Sequence, residues 1–214
     1  MKNTFYLQNM MMPLKSLNFW IKFFLPILIL QSCIQSEYTK VVKEELARGV
    51  RMDSLVFGIN FGDSRDEFYG KCFDLNKKEL VTQGPKGATV QHLFTDSLLH
   101  NTPTPMRLLF IPAFDEKDKI IEMNLEFSYV AWAPWNENLQ SNFLKDKVLE
   151  LITLWYKGNS FISVEINGQQ TPVKLDGNRR MIVYIKDEQN VVVKIHDILH
   201  PKYRHSVSIP GEKD

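Results

Sequence analysis

Cysteine is scarce. Cys33 and Cys72 are the two in 214 residues, so a framework of several disulfides is excluded. Charge of one sign is missing as well. Lys and Arg number 26 against 25 Asp and Glu, a formal net charge of +1, which gives no electrostatic case for nucleic acid as a partner. A long hydrophobic run is also wanting. The stretch FFLPILIL at 23–30 is interrupted upstream by Lys22, whereas a membrane-spanning helix needs roughly 20 apolar residues. Familiar catalytic arrangements are absent too: no Ser-His-Asp or Cys-His set stands out, and no pair of carboxylates has an apolar setting that would raise a pKa. QGPKGATVQ at 83–91 lacks the frame of a phosphate loop and follows a helix instead of opening one, so it reads as a turn. What remains is an ordinary globular balance, 44% hydrophobic and 24% charged, enough for a sizeable core.

The apolar stretch ends in a polar pair and a cysteine. Lys15 and Lys22, a short apolar region and the small Ser32 before Cys33 are the parts of an export signal, and Pro26 within the run argues against a folded core helix. LQSC at 30–33 resembles the lipobox of bacterial lipoproteins: aliphatic Leu30 at −3, small Ser32 at −1, then the cysteine. Gln31 departs from the usual small or aliphatic residue at −2. The resemblance implies that Cys33 accepts a diacylglyceryl group and becomes the first residue of a lipid-anchored protein, since two or more acyl chains anchor stably. Removing residues 1–32 takes Lys2, Lys15 and Lys22 and no acid, leaving 23 basic side chains against 25 acidic, a net charge of −2. Met10, Met11 and Met12 are alternative starts, and Met12 gives the more typical signal length. Ile34, not Asp, follows the cysteine, so the resemblance points to the outer membrane, facing periplasm or cell surface. Cys72 then has no disulfide partner and is expected in the core.

Downstream, residues 33–52 read as a polar tether with a short helix at 41–47. LVFGINF at 55–61 reads as a strand. Ser64 and Glu67 form a capping box that opens a helix, with Phe68, Cys72 and Leu75 on one face. Strands follow at 88–94 and 106–114, with Pro112 marking an edge or bulge. At 121–129, Ile121, Met123, Leu125, Phe127 and Tyr129 alternate with Glu122, Asn124, Glu126 and Ser128, a strand with one wet face. A second helix covers 137–156, its stripe made of Leu144, Val148, Leu151, Ile152 and Trp155, with Gly158 as the stop. Strands at 161–166, 173–175, 180–186 and 191–198 complete the pattern, joined by hairpin turns at 176–178 and 186–190.

The order helix–strands, helix–strands suggests a duplication. DEKDKIIEMN from Asp115 matches DEQNVVVKIH from Asp187 in pattern at an offset of 72. The expected fold is α+β: two helix-plus-antiparallel-sheet repeats, about 55–130 and 136–198, with the helices on one face of the sheet. The domain spans 53–200, and 201–214 is a C-terminal tail. Such a tandem resembles the β-lactamase-inhibitor-protein-like fold. The module occurs singly in small outer-membrane-assembly lipoproteins of the SmpA/BamE type, whose glycine-led helix start GDSRDEF at 62–68 resembles.

Candidate sites are few. YVAWAPWNEN places Tyr129, Trp132 and Trp135 around Pro134, and aromatics on a loop can anchor a protein or stack on a sugar. Otherwise they cap the core. His196, His200 and His205 include an H-x-x-x-H spacing, but Asp197 stands where a zincin needs Glu, and Pro201 follows His200. They read as surface or capping histidines. GNRR at 177–180 reads as a solvated basic turn. The expectation is therefore a lipid-anchored cell-envelope protein that binds other envelope proteins without catalysis, metal or cofactor. Binding of carbohydrate or a small ligand through Tyr129, Trp132 and Trp135 is the alternative, and a metal-dependent hydrolase a remote third.

Overall fold

The alternation of apolar and polar residues along the second half of the chain needs a sheet that is covered, and the computed structural model places one there. It describes residues 37–87, 89–94 and 104–204; the lipobox with Cys33, and His205, lie outside them. The order is helix α1 (Glu37–Ala47), helix α2 (Arg65–Lys77), β1 (Thr82–Gln83), β2 (Val90–Phe94), β3 (Met106–Phe114), β4 (Ile120–Tyr129), helix α3 (Ser141–Trp155), β5 (Ile162–Ile166), β6 (Gln169–Asp176), β7 (Arg179–Ile185), β8 (Asn190–Asp197) and the one-turn α4 (Pro201–Arg204). Among the described residues the fold is α+β, with one antiparallel sheet of eight strands in the order β1-β2-β3-β4-β8-β7-β6-β5. No helix among the described residues is long and apolar enough to cross a membrane.

Helix α2 begins where its capping box lies. Ser64 Oγ accepts from the Glu67 amide (3.2 Å), and Glu67 returns a carboxylate oxygen to the Ser64 amide (2.6 Å). Phe68 and Cys72 are buried, and burial pushes the Cys72 thiol up to about 11, as suits an inert core thiol. Helix α3 buries Leu144, Val148, Leu151 and Ile152, after a turn of 3-10 helix at Glu137–Leu139. Both helices join a core with Met123, Leu125 and Phe127 of β4, Met181 and Val183 of β7, and Val191, Val193 and Ile195 of β8.

The opposite side of β7 serves a second cluster. Ile182 packs there with Val173 and Leu175 of β6, Ile198, and Tyr38 and Val42 of α1. Period-two alternation sends Met181 and Ile182 to different faces, so the sheet is covered twice. This corrects the wet face expected on β4: Glu122 and Ser128 are buried, and Asn124 and Glu126 are half-covered. Residues 37–52, expected in the tether, belong to the folded unit, because α1 lays Tyr38 and Val42 on the sheet. Tyr203, expected in the tail, is buried as well.

Residues 55–61 do not form the expected strand. Phe57 and Gly58 take positive φ (53° and 77°), and Ile59 donates its amide to Val56, so the run folds into a tight turn. Gly58 allows that turn, which leaves Leu55, Val56, Ile59 and Phe61 all buried around it. Pro112 sits on an interior strand, but past the end of β2: β2 pairs only with Met106 to Phe110, and a register shift follows at Ala113/Phe114. The missing amide of Pro112 therefore costs no bond to β2.

Candidate functional site

The expected aromatic site comes apart in three dimensions. Tyr129 ends β4 facing the core and is buried. Trp132 is half-buried against the same core, with its indole N–H enclosed and without a hydrogen-bond partner. Trp135 alone projects, 85% exposed. Its loop is pinned from below, because the Gln140 side-chain amide lies 3.1–3.3 Å from the carbonyl oxygens of Ala133, Pro134 and Asn136.

The histidines are not a surface pair. His196 is buried, which corrects the surface reading, and it lies on a row that crosses the sheet: Leu175, Arg180, His196 and Glu122 are register partners. Arg180 approaches His196 Nδ1 with Nε (3.4 Å) and a terminal nitrogen (3.2 Å) and donates to Tyr38 Oη (2.9 Å). Guanidinium can only donate, so Nδ1 accepts and the imidazole proton sits on Nε2, facing Glu122 Oε2 at 3.4 Å. Tyr203 Oη donates to the same carboxylate oxygen, and its ring lies 4.5 Å from the His196 ring. Burial would raise the Glu122 carboxyl, but the bonds from His196 and Tyr203 and the charge of Lys194 more than reverse it, and its pKa is lowered. Burial, helped by Arg180, brings His196 down to about 4 against the pull of Glu122. The row is a neutral imidazole between a fixed cation and a fixed anion, and its polar atoms face one another. His200 lies elsewhere, 3.6 Å from Asp115. Among the described residues no group of three or more His, Cys, Asp or Glu side chains could hold a metal.

The basic turn is buried too. Asn178, Arg179 and Arg180 are each buried: the segment after α1 bonds to Asn178 and Arg179, and Tyr38 of α1 and His196 meet Arg180. The Gly177 amide donates to Glu45 (2.8 Å), the Met52 amide to Asn178 (2.6 Å), and Asn178 itself to Asp53 (3.2 Å) and Asp197 (3.0 Å). Gly177 has φ +57, and a Cβ there would run into the Val50 carbonyl. Being consecutive in β7, Arg179 and Arg180 point to opposite faces. Arg180 joins the histidine row. Arg179 turns toward the end of α3, where its guanidinium carbon lies 4.5 Å over the centre of the Tyr156 ring.

Arg179 opens onto a feature that no local motif announces. A recess of about 580 Å³ is bounded by residues 54–57, β2, the end of α3 and Arg179. Its rings run in series: Phe57 and His92 (5.0 Å between centroids), His92 and Phe94 (4.6 Å), Phe94 and Trp155 (5.9 Å), Trp155 and Tyr156 (6.5 Å). His92 Nδ1 lies 2.6 Å from the Leu80 carbonyl and so carries the proton there. Arg179 donates to the Ser54 carbonyl (2.7 Å) and lies 3.4 Å from Asp176, but its Nε has no partner, and neither has the Tyr156 hydroxyl. Burial pushes that phenol well above its ordinary range, more than the Arg179 charge lowers it, so it stays an O–H donor.

No family model, curated protein or solved structure matches the chain.

Proposed function

We propose that the chain is a lipid-anchored cell-envelope protein, held at an outer membrane through Cys33, that acts by binding other envelope proteins and not by catalysis. The observation that carries the binding role is Trp135. A large aromatic 85% exposed on a pinned loop loses little freedom when it is covered, which is how protein-binding anchors work. Phe143 in α3 and Val130 just after β4 are further exposed apolar side chains, 53% and 51% exposed. The acid–base row at Glu122 and His196 is enclosed and internally paired, which favours a structural role for it. We also infer that the domain is a duplication with its helices α2 and α3 on a common face. Met123 pairs with Ile195 across β4 and β8, 72 residues apart, the same offset that aligns the two strand sequences. Asp115 and Asp187 each close the hairpin before these strands by accepting backbone amides, from Lys117 and Lys119 and from Gln189 and Asn190.

The test uses protein recovered from membranes of the native host. Mass analysis should find Cys33 at the N-terminus with diacylglyceryl adducts, and in-cell crosslinking should capture envelope proteins that Trp135→Ala loses without a change in thermal stability. An unlipidated N-terminus would sink the anchor, and an unchanged crosslinking pattern in the variant would sink the binding surface.

A further inference from the structure

We infer that the free edge of β5 pairs with the β5 edge of a second copy of this chain, joining two eight-stranded sheets across a twofold axis at Val164. The inference goes beyond the Trp135 reading. It concerns another element and needs neither a foreign partner nor a lipid.

The sheet ends in two different ways. Its β1 edge is Thr82–Gln83, too short to template a partner strand. Its β5 edge runs from Ile162 to Ile166 in unbroken register with β6, and among the described residues no strand lies on its outer side. It carries no Pro, Lys or bulge, devices that keep an edge from pairing, and its one charge is Glu165.

The turn fixes which backbone groups are free. Asn167 and Gly168 both take positive φ (52° and 76°), as in a two-residue type I′ hairpin turn. The flanking pair Ile166 and Gln169 then exchange both bonds. Alternation along an antiparallel ladder repeats this at Val164 with Thr171 and at Ile162 with Val173. Ser163 and Glu165 therefore turn their N–H and C=O groups outward. Pro172 agrees: it stands opposite Ser163, where the ladder asks for no amide between β5 and β6.

The side chains make this edge complementary to itself. Antiparallel pairing about Val164 sets Ser163 of each copy opposite Glu165 of the other, so the outward donors and acceptors of each such pair satisfy one another. No carboxylate faces a carboxylate. A slip toward the turn would set Glu165 against Glu165, which like charges disfavour, and a slip the other way would leave Ile166 opposite no strand residue. On the face toward α1, Ile162 meets Ile166 and Val164 meets Val164. Ile162 and Ile166 are half-buried beside Val164, Tyr38 and Val42, so the pairing covers apolar surface that one copy leaves open.

The test co-expresses two full-length copies with different C-terminal tags in the native host. One carries Ser163→Cys and the other Glu165→Cys, and lysed cells are oxidised with copper–phenanthroline. Directly opposed residues lie about 5.5 Å apart between Cα atoms, within disulfide reach, whereas diagonal ones lie roughly 7–8 Å apart and beyond it. A disulfide should join the two tags in the mixed pair. It should be absent in wild type and when both copies carry the same substitution. Glu165→Pro in both copies removes an outward N–H and none that β6 uses. It should lower co-purification of the two tags after detergent extraction by about tenfold or more, equivalent to roughly 1.4 kcal/mol, with the melting temperature unchanged. No disulfide in the mixed pair, equal disulfide in like pairs, or undiminished co-purification of the Glu165→Pro copies would overturn the inference. So would a disulfide from Ser163→Cys to a different protein, which would give the edge to a foreign strand. The Trp135 reading stands or falls separately, on crosslinking to envelope proteins.

Discussion

His196 shows how one residue can couple the fold to pH. Its imidazole is buried between Arg180 and Glu122, with Lys194 also bearing on the carboxylate, Tyr203 over its ring and Tyr38 on the far side of Arg180. In the unfolded chain it titrates near 6.5, in the folded chain near 4. Between those values the unfolded state holds more protons, so stability is full above about pH 6.5 and is lost as pH falls toward 4. At about 1.36 kcal/mol per pKa unit the whole loss approaches roughly 3 kcal/mol, of which about 2 kcal/mol is gone by pH 5. Urea unfolding at neutral pH and near pH 5 checks this. His196→Gln, which cannot titrate, should flatten the dependence over that window whatever it does to absolute stability. A slope unchanged in the variant would assign the acid sensitivity to other groups. The sequence conceals this residue because its neighbours in the row are 16 and 74 positions away, and only strand register brings them together.

At the scale of elements, local chemistry decides what is legible. The start of α2 is written within four residues. Ser64→Ala should cost about 1 kcal/mol by urea denaturation, and Ser64→Asp should restore most of it, because a carboxylate can also accept the Glu67 amide. A Ser64→Ala variant of unchanged stability would mean that the cap contributes nothing. The strands β3 to β8 and the helix α3 are legible for the same reason: periodicity and turn residues are local. The turn at Phe57–Gly58 competes with a strand pattern that is equally local, and the glycine wins. What stays illegible is coverage. The polar side of β4 and the GNRR turn look wet in sequence because α1, α4 and residues 48–54 cover them from far along the chain. The aromatic recess is hidden in the same way, since Phe57, His92, Trp155 and Arg179 come from four separate segments.

The whole molecule turns on the contact between β4 and β8. They are the two middle strands of the sheet, and they pair over seven residues, from Glu122 opposite His196 to Ser128 opposite Asn190. Each half supplies one of them, and the larger core runs across the seam, from Phe68 and Phe110 to Leu144, Met181 and Val193. Separating the halves would expose Leu125, Phe127, Val191 and Val193, all fully buried. A sheet joined at its two middle strands should unfold as one unit, not as two. Hydrogen exchange followed in β3 and in β7 under rising urea should report the same opening free energy for both strands. Leu125→Ala removes a side chain from the seam itself and should lower both values together, by about 2–5 kcal/mol. If β3 alone responded, the two halves would be independent folding units that merely touch. The pairing of Met123 with Ile195 would then be a junction between neighbours and not the axis of a shared core.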